Sequence, residues 1–229
     1  MITDFEMGEI LQSKFFHDMA GPVGAINNGV EFLGENRSEV QKKAIELMTI
    51  SAQEAVTRMQ YYKFAYGYLP INLEASIDKT IKVVTDYFYK NKIRFNWNGL
   101  ETSNIKINNK VVKLLLNTIY IAAAAMIYGG EISVKLGFDK ATNNLKFEVI
   151  GSSASGIKLD RDMISLLVEN NTLPINSKNV QFFYFKRFAE IHKIKYATEI
   201  NDKITFKGEL LLDIKQAEIH HRHEYADLI

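Results

Sequence analysis

Phe15-Phe16-His17-Asp18-Met19-Ala20-Gly21-Pro22-Val23-Gly24-Ala25-Ile26 is the stretch on which the fold turns. At about 100° per residue, Phe15, Phe16, Met19, Val23 and Ile26 fall with Phe5, Val30 and Leu33 on one apolar face of a long helix. His17 lies on the opposite side, roughly 160° from Met19. Ser13 precedes it by one turn; Gly21, Gly24 and Asn28 follow at one, two and three turns. The stripe around the imidazole is therefore small and flat, with Lys14 at its edge. Glycine inside a helix costs about 1 kcal/mol relative to alanine, and proline about 3. This helix nevertheless carries Gly21, Pro22, Gly24 and Gly29. Pro22 has no N–H, so the Asp18 carbonyl loses its helical partner. Such a helix suits a nucleophilic imidazole that a partner approaches closely. The plainer alternative is an exposed histidine beside a proline kink.

Outward from this stretch, the first helix reads from about Asp4 to Leu33, with Gly34 as the C′ residue in the left-handed region. Ser38 followed by Gln41 reads as a capping box for a second helix. Ile45, Met48, Ala52, Ala55, Met59, Tyr62 and Tyr66 then alternate by three and four, a heptad seam. Two helices leave an apolar face uncovered. A second copy, forming a four-helix bundle across a homodimer, is the favoured cover; packing against the rest of the same chain is the alternative. Leu69-Pro70 ends the hairpin.

Beyond it the periods mix. Helices are expected over 74–90, 110–127, 160–168 and 179–192. Strands are expected over 93–97, 105–107, 132–138, 145–150, 195–200, 203–206 and 209–214, with Asp139 to Asn144 as a polar turn. The whole is an α+β protein: a helical hairpin (1–68), an α/β sandwich with one mixed sheet and helices on one face (69–215), and a polar tail (216–229).

The composition narrows the function classes. The chain has 229 residues, 47% hydrophobic and 24% charged, with net charge +1 and no cysteine. No dense basic block suggests nucleic acid. Disulfides and thiolate metal sites are excluded. Neither a secretory leader nor a stretch long enough to span a bilayer is read, so the expectation is a soluble cytoplasmic protein without nucleic-acid or membrane partners. Lys186 and Arg187 read as the polar face of their helix, and His192 as a packing or capping residue at its end. His220, His221 and His223 read as a solvated tail rather than a metal site.

The hairpin resembles the dimerisation and histidine-phosphotransfer domain of sensor histidine kinases. His17-Asp18-Met19-Ala20-Gly21-Pro22 is similar to their histidine box. The longer run through Val23-Gly24-Ala25-Ile26-Asn27-Asn28-Gly29 resembles the ChpT-type bacterial histidine phosphotransferases more closely. The second half resembles the kinase ATP-binding (Bergerat) domain with its boxes degraded. Lys113 to Ala122 matches the asparagine box, but the metal-holding asparagine falls on Ile121. Val149 to Ile157 matches the D-x-G-x-G segment, with its aspartate on Ser152 and its middle glycine on Ala154. Asn179 to His192 matches the Gly-rich loop and following helix, with glycines falling on Asn179 and Gln181.

The resemblance implies a phosphoryl carrier rather than an ATP-dependent kinase. His17 is the implied phosphoacceptor, at Nε2, and Asp18 the group that orients the ring or takes its proton. The implied partners are receiver domains of a hybrid histidine kinase and of response regulators, docking on Ser13, Lys14, Gly21, Pro22, Gly24 and Asn28. No cofactor of its own is implied; Mg²⁺ comes with the receiver. An imidazole of ordinary pKa, about 6.5, is a competent nucleophile near pH 7. Physical chemistry agrees on the nucleotide: a phosphate cradle needs converging N–H groups that glycine permits, and Ile121 offers a divalent metal no oxygen. An active kinase using ATP and a non-catalytic receiver scaffold are the rival readings.

Overall fold

The computed structural model describes residues 2–35, 37–100, 105–139, 141–168 and 174–214. The His-rich tail read from the sequence lies outside the described residues.

Helix α1 (Asp4–Phe32) starts on a full capping box. The Thr3 hydroxyl accepts from Glu6 N at 3.1 Å, and the Glu6 carboxylate accepts from Thr3 N at 2.7 Å. Reciprocal satisfaction of two otherwise unpaired N–H groups fixes the first turn. The helix ends through Leu33 in a right-handed conformation, and Gly34 is not among the glycines with positive φ. The expected left-handed stop is thus replaced by a tight turn, with Gly34 N donating to Glu31 O.

Helix α2 (Ser38–Ala65) begins one residue after Arg37, which makes no side-chain cap. The expected Ser38–Gln41 box does not form. The Gln41 amide donates instead to the carbonyls of Leu33 and Glu35 at 3.2 and 2.9 Å, serving the end of α1. Those orphan carbonyls compete successfully for the donor.

The face that α1 buries is rotated from the expected one. Met7, Leu11, Pro22 and Gly29 are buried, whereas Phe5, Phe16, Val23 and Val30 remain exposed. On α2 the buried residues are Ala44, Ser51, Ala55, Tyr61, Tyr62 and Ala65, and Ile45 of the expected seam is exposed. The reason is close approach. At Gly29 a Cβ would strike the Met48 side chain and lie 3.2 Å from the Ala44 carbonyl, so the glycine draws the two helices together on that side.

The second region has the strand order β2-β4-β5-β7-β6, where β2 is Ile93–Asn96, β4 Gly130–Asp139, β5 Asn144–Ser152, β6 Lys195–Ile200 and β7 Lys203–Leu211. The β2–β4 pair is parallel and the others antiparallel, which makes the sheet mixed as expected. A separate two-stranded ladder joins β1 (Glu74–Ala75) to β3 (Ile107–Asn108). The helices are α3 (Ile77–Tyr87), α4 (Asn109–Ala124), α5 (Arg161–Val168) and α6 (Val180–Ile191), with a 3₁₀ turn at Tyr89–Asn91. The single helix expected over 74–90 is therefore a short strand, a helix and a 3₁₀ turn. The two strands expected at 203–206 and 209–214 are one. Gly208 continues the ladder opposite Tyr196, where a Cβ would collide with the Lys195 carbonyl. Glycine here permits close strand packing rather than marking a turn.

Helix α4 is the centre of the core; Val111, Leu114, Leu115, Ile119, Ile121 and Ala122 are fully buried. One side meets the inward residues Ile132, Val134, Leu145, Phe147, Val149, Ile204 and Phe206 of the sheet. One side of the hairpin closes on this core within the same chain. Tyr61 stacks on Tyr87 with ring centroids 3.9 Å apart, and its hydroxyl donates to Leu116 O at 2.6 Å. Met7 and Leu11 pack with Val180 of α6. Arg187 of α6 pairs with Asp4 at 3.0 Å.

Candidate functional site

The site is assembled around a gap in the α1 hydrogen-bond ladder. With Pro22 unable to donate, the Asp18 carbonyl needs a donor from elsewhere, because a half-buried carbonyl without one is costly. Arg58 of α2 supplies it, donating through Nη1. Pro22 itself is buried. It therefore does not belong to the docking stripe read from the sequence: its ring lies on the buried face of α1, and its effect on the surface is exerted through the main chain.

The Asp18 side chain is bound at both oxygens. Oδ1 lies 3.2 Å from His17 Nδ1. Oδ2 accepts from the Tyr62 hydroxyl at 2.5 Å and from Lys14 Nζ at 3.1 Å. Burial pushes this carboxyl up, but the Tyr62 hydroxyl, the Lys14 charge and His17 outweigh it and hold it below the ordinary carboxylate range. The Tyr62 hydroxyl is pushed far up by burial and by Asp18, so it stays a donor. The His17 side chain is 87% exposed and that of Asp18 20%. The imidazole is thus tethered by Nδ1 and presents Nε2 to solvent.

Ser13, Gly21, Gly24 and Asn28 are all exposed along the same side of α1. Lys14 differs: its side chain is only 15% exposed and its ammonium is engaged by Asp18 one turn on. Arg58 is also paired with Glu54 at 2.5 Å, and Glu54 with Lys90 of the 3₁₀ turn at 2.6 Å. Lys14, Asp18, Glu54, Arg58 and Lys90 line a cleft of about 850 Å³ between the hairpin and the α/β region, with Tyr87 and Tyr120 among its walls.

The positions that the resemblance assigns to a lost nucleotide site are mostly closed. Ile121 is fully buried, and Gln181 is 1% exposed. Asn179 is spent on its own loop, accepting from Asn176 N at 2.8 Å and donating to Pro174 O at 3.0 Å. Ser152 is half-buried and Ala154 exposed. Lys113 and Asn117 of the α4 segment turn to the hairpin. Lys113 Nζ donates to Gly67 O at 2.7 Å and Ala65 O at 3.3 Å, the terminal carbonyls of α2. His192 packs its ring on Phe188, with centroids 4.5 Å apart. Among the described residues no three His, Cys, Asp or Glu side chains converge as a metal site requires.

Sequence reading missed Arg58, Tyr62 and Glu54 as parts of the site. Tyr62 was absorbed into the apolar seam. A signal existed: Arg58 and Tyr62 stand four apart on one face of α2, and the carbonyl freed by Pro22 required a donor.

Three comparisons bear on this geometry. The family model for the histidine phosphotransferase C-terminal domain matches residues 77–204, a span that does not include His17. Protein phosphotransferase ChpT of Brucella abortus (strain 2308) is 33% identical over 136 residues, 59% of this chain and 63% of that protein. The chain thus aligns with somewhat less than two thirds of that relative's length. The solved 1.7 Å structure of a bacterial phosphotransferase superposes with a TM-score of 0.74 at 25% identity, covering 91% of this chain and 98% of the other.

Proposed function

The chain belongs to the histidine phosphotransferase family, and from that premise we propose that it carries a phosphoryl group on His17 between receiver-domain aspartates. The observation that carries this reading is the exposed imidazole with Nδ1 tied to Asp18 and Nε2 free. The Nε2 lone pair attacks the phosphorus of a receiver's aspartyl phosphate. An N–P bond forms, the P–O bond to the aspartate breaks, and the receiver's carboxylate leaves with the electron pair. The ring gains positive charge, which the adjacent Asp18 carboxylate stabilises while holding or accepting the Nδ1 proton. Transfer to the next receiver's aspartate reverses these steps. The donor is a hybrid histidine kinase's receiver and the acceptors are response regulators. The Mg²⁺ that neutralises the phosphoryl oxygens comes with the receiver's acidic pocket.

Ser13, Gly21, Gly24 and Asn28 form the surface on which the receiver lies, since small residues let another backbone approach. Ile121 and Gln181, buried where a kinase would hold metal and phosphate, speak against an ATP-dependent kinase. The cytoplasm is the compartment this reading requires. The molecule acts as a homodimer: Phe16, Val23 and Val30 of α1 and Ile45 of α2 leave an apolar face that a second copy covers as a four-helix bundle. Light scattering should give twice the chain mass.

The test is transfer from a radiolabelled, phosphorylated receiver. Wild type should take up label in an acid-labile, base-stable form, and His17→Ala should not. Labelling of His17→Ala would refute the assignment. Receiver binding without any labelling of wild type would leave a docking scaffold instead.

A further inference from the structure

We propose that Arg58 and Tyr62 are positioning residues for His17, holding Asp18 by its main chain and its side chain so that the imidazole keeps its proton on Nδ1. The inference rests on the reading of His17 as phosphoacceptor and adds how its reactive nitrogen is selected.

A neutral imidazole has two tautomers, and only the one protonated at Nδ1 has a lone pair on Nε2. The hydrogen bond made by the other nitrogen sets which is present. Here that bond runs from Nδ1 to Asp18 Oδ1 at 3.2 Å. An exposed histidine and its sequence neighbour would not hold such geometry unaided, because adjacent helical residues do not face each other. Asp18 must therefore be fixed by something else, and α2 fixes it twice. Tyr62 donates to Oδ2 at 2.5 Å, which turns Oδ1 toward the ring. Arg58 donates to the carbonyl that Pro22 leaves open, which fixes the Asp18 backbone at the break in the ladder. Each attachment is at least partly shielded from water, and Tyr62 is buried. Arg58 is in turn oriented by Glu54, itself paired with Lys90, so its guanidinium is braced from the α/β region. Lys14 also reaches Oδ2, but from α1 itself, and adds no tie across the hairpin. On this account Pro22 belongs in the helix because it vacates an acceptor that Arg58 can grip.

The experiment uses the full chain with ¹⁵N-labelled histidine, above pH 8 so that the rings are neutral. Long-range ¹H–¹⁵N correlations separate protonated from lone-pair ring nitrogens, and His17→Gln identifies the His17 signals among the five histidines. Wild type should show Nδ1 protonated and Nε2 bare. Tyr62→Phe keeps the ring against Phe15 and so keeps the fold, and Arg58→Met keeps the length of the stem. Both should move the His17 shifts toward a tautomer mixture. Both should slow phosphotransfer by about tenfold or more, the loss expected for a hydrogen bond to a charged group, with receiver affinity within about twofold. A role in packing alone would move neither the ¹⁵N shifts nor the transfer rate at saturating receiver. The proposal is overturned if wild type has Nε2 protonated, or if Tyr62→Phe and Arg58→Met leave the shifts unchanged. Failure of wild type to accept phosphoryl would sink the phosphotransfer reading, while the shifts would still decide the positioning.

Discussion

Replacing Lys113 with methionine probes how the hairpin is fastened to the α/β core. The residue is nearly buried, 5% exposed, and its ammonium donates to the Gly67 and Ala65 carbonyls at the end of α2. Burial lowers its pKa from 10.5 to about 8. Two effects oppose each other near neutral pH. The charged hydrogen bonds contribute on the order of 1.5–3 kcal/mol. The depressed pKa shows a penalty on the charged form of about 1.4 kcal/mol per unit, hence about 3.5 kcal/mol in all. Lys113→Met should therefore be neutral to slightly stabilising at pH 7, by no more than about 2 kcal/mol, as for other replacements of buried charge by apolar groups.

The sign at higher pH follows from proton counting. Between pH 8 and 10.5 the folded protein has released the Lys113 proton while the unfolded chain still holds it. The unfolded state then binds more protons, so stability rises with pH. From pH 7.0 to 9.5 wild type should gain about 2 kcal/mol relative to Lys113→Met. Buried tyrosines act in the opposite direction, but they are common to both proteins and cancel in the difference. Urea unfolding at the two pH values, followed by far-UV circular dichroism, measures it. A difference between the two proteins that stays flat with pH would refute the claim that this lysine is a desolvated ammonium.

Three further outcomes are expected. Tyr61→Phe removes the buried hydroxyl that donates to Leu116 O and should cost about 1 kcal/mol, whereas Tyr61→Ala also empties the site between α2 and Tyr87 and should cost about 3–5. Equal losses in thermal unfolding would show the packing of the ring to be irrelevant, and an unchanged Tyr61→Phe would show the hydroxyl to be. Gly208→Ala places a Cβ against the Lys195 carbonyl and 2.8 Å from Tyr196 Cα, and should lose about 1–3 kcal/mol or more because backbone cannot move aside; a variant as stable as wild type would contradict the close strand packing. Asp18, with its carboxyl held below the ordinary 3.8, stabilises the fold above that pH and loses the contribution as pH falls through its lower folded value. Asp18→Asn should accordingly be more destabilising at pH 6 than at pH 3, as read by urea midpoints.

Much of the architecture was legible before any coordinates. The long helices, the α4 core helix and strand β6 follow from period and from the breaks at Gly34 and Pro70. His17 falls on the exposed stripe because helical spacing alone separates it from the apolar face. The free Asp18 carbonyl was likewise a local matter, since a proline four residues on has no N–H to give.

What only tertiary structure decided is which distant groups answer those local facts. Arg58 and Tyr62 stand 40 and 44 residues from Asp18, and no local period ties them to it. Period shows that a helix face is apolar; it does not say what covers it. The α1 face that turned inward was chosen by Gly29, where two helices can touch most closely, and not by the largest side chains. Phe16, Val23 and Val30 were left outside for that reason. Likewise Lys113 reads as one more lysine on an apolar helix until the end of α2 is brought to it. Sequence patterns specify backbone elements and their faces because those depend on neighbours within a few residues, whereas the hydrogen-bond partners at the site depend on how separate elements are folded together.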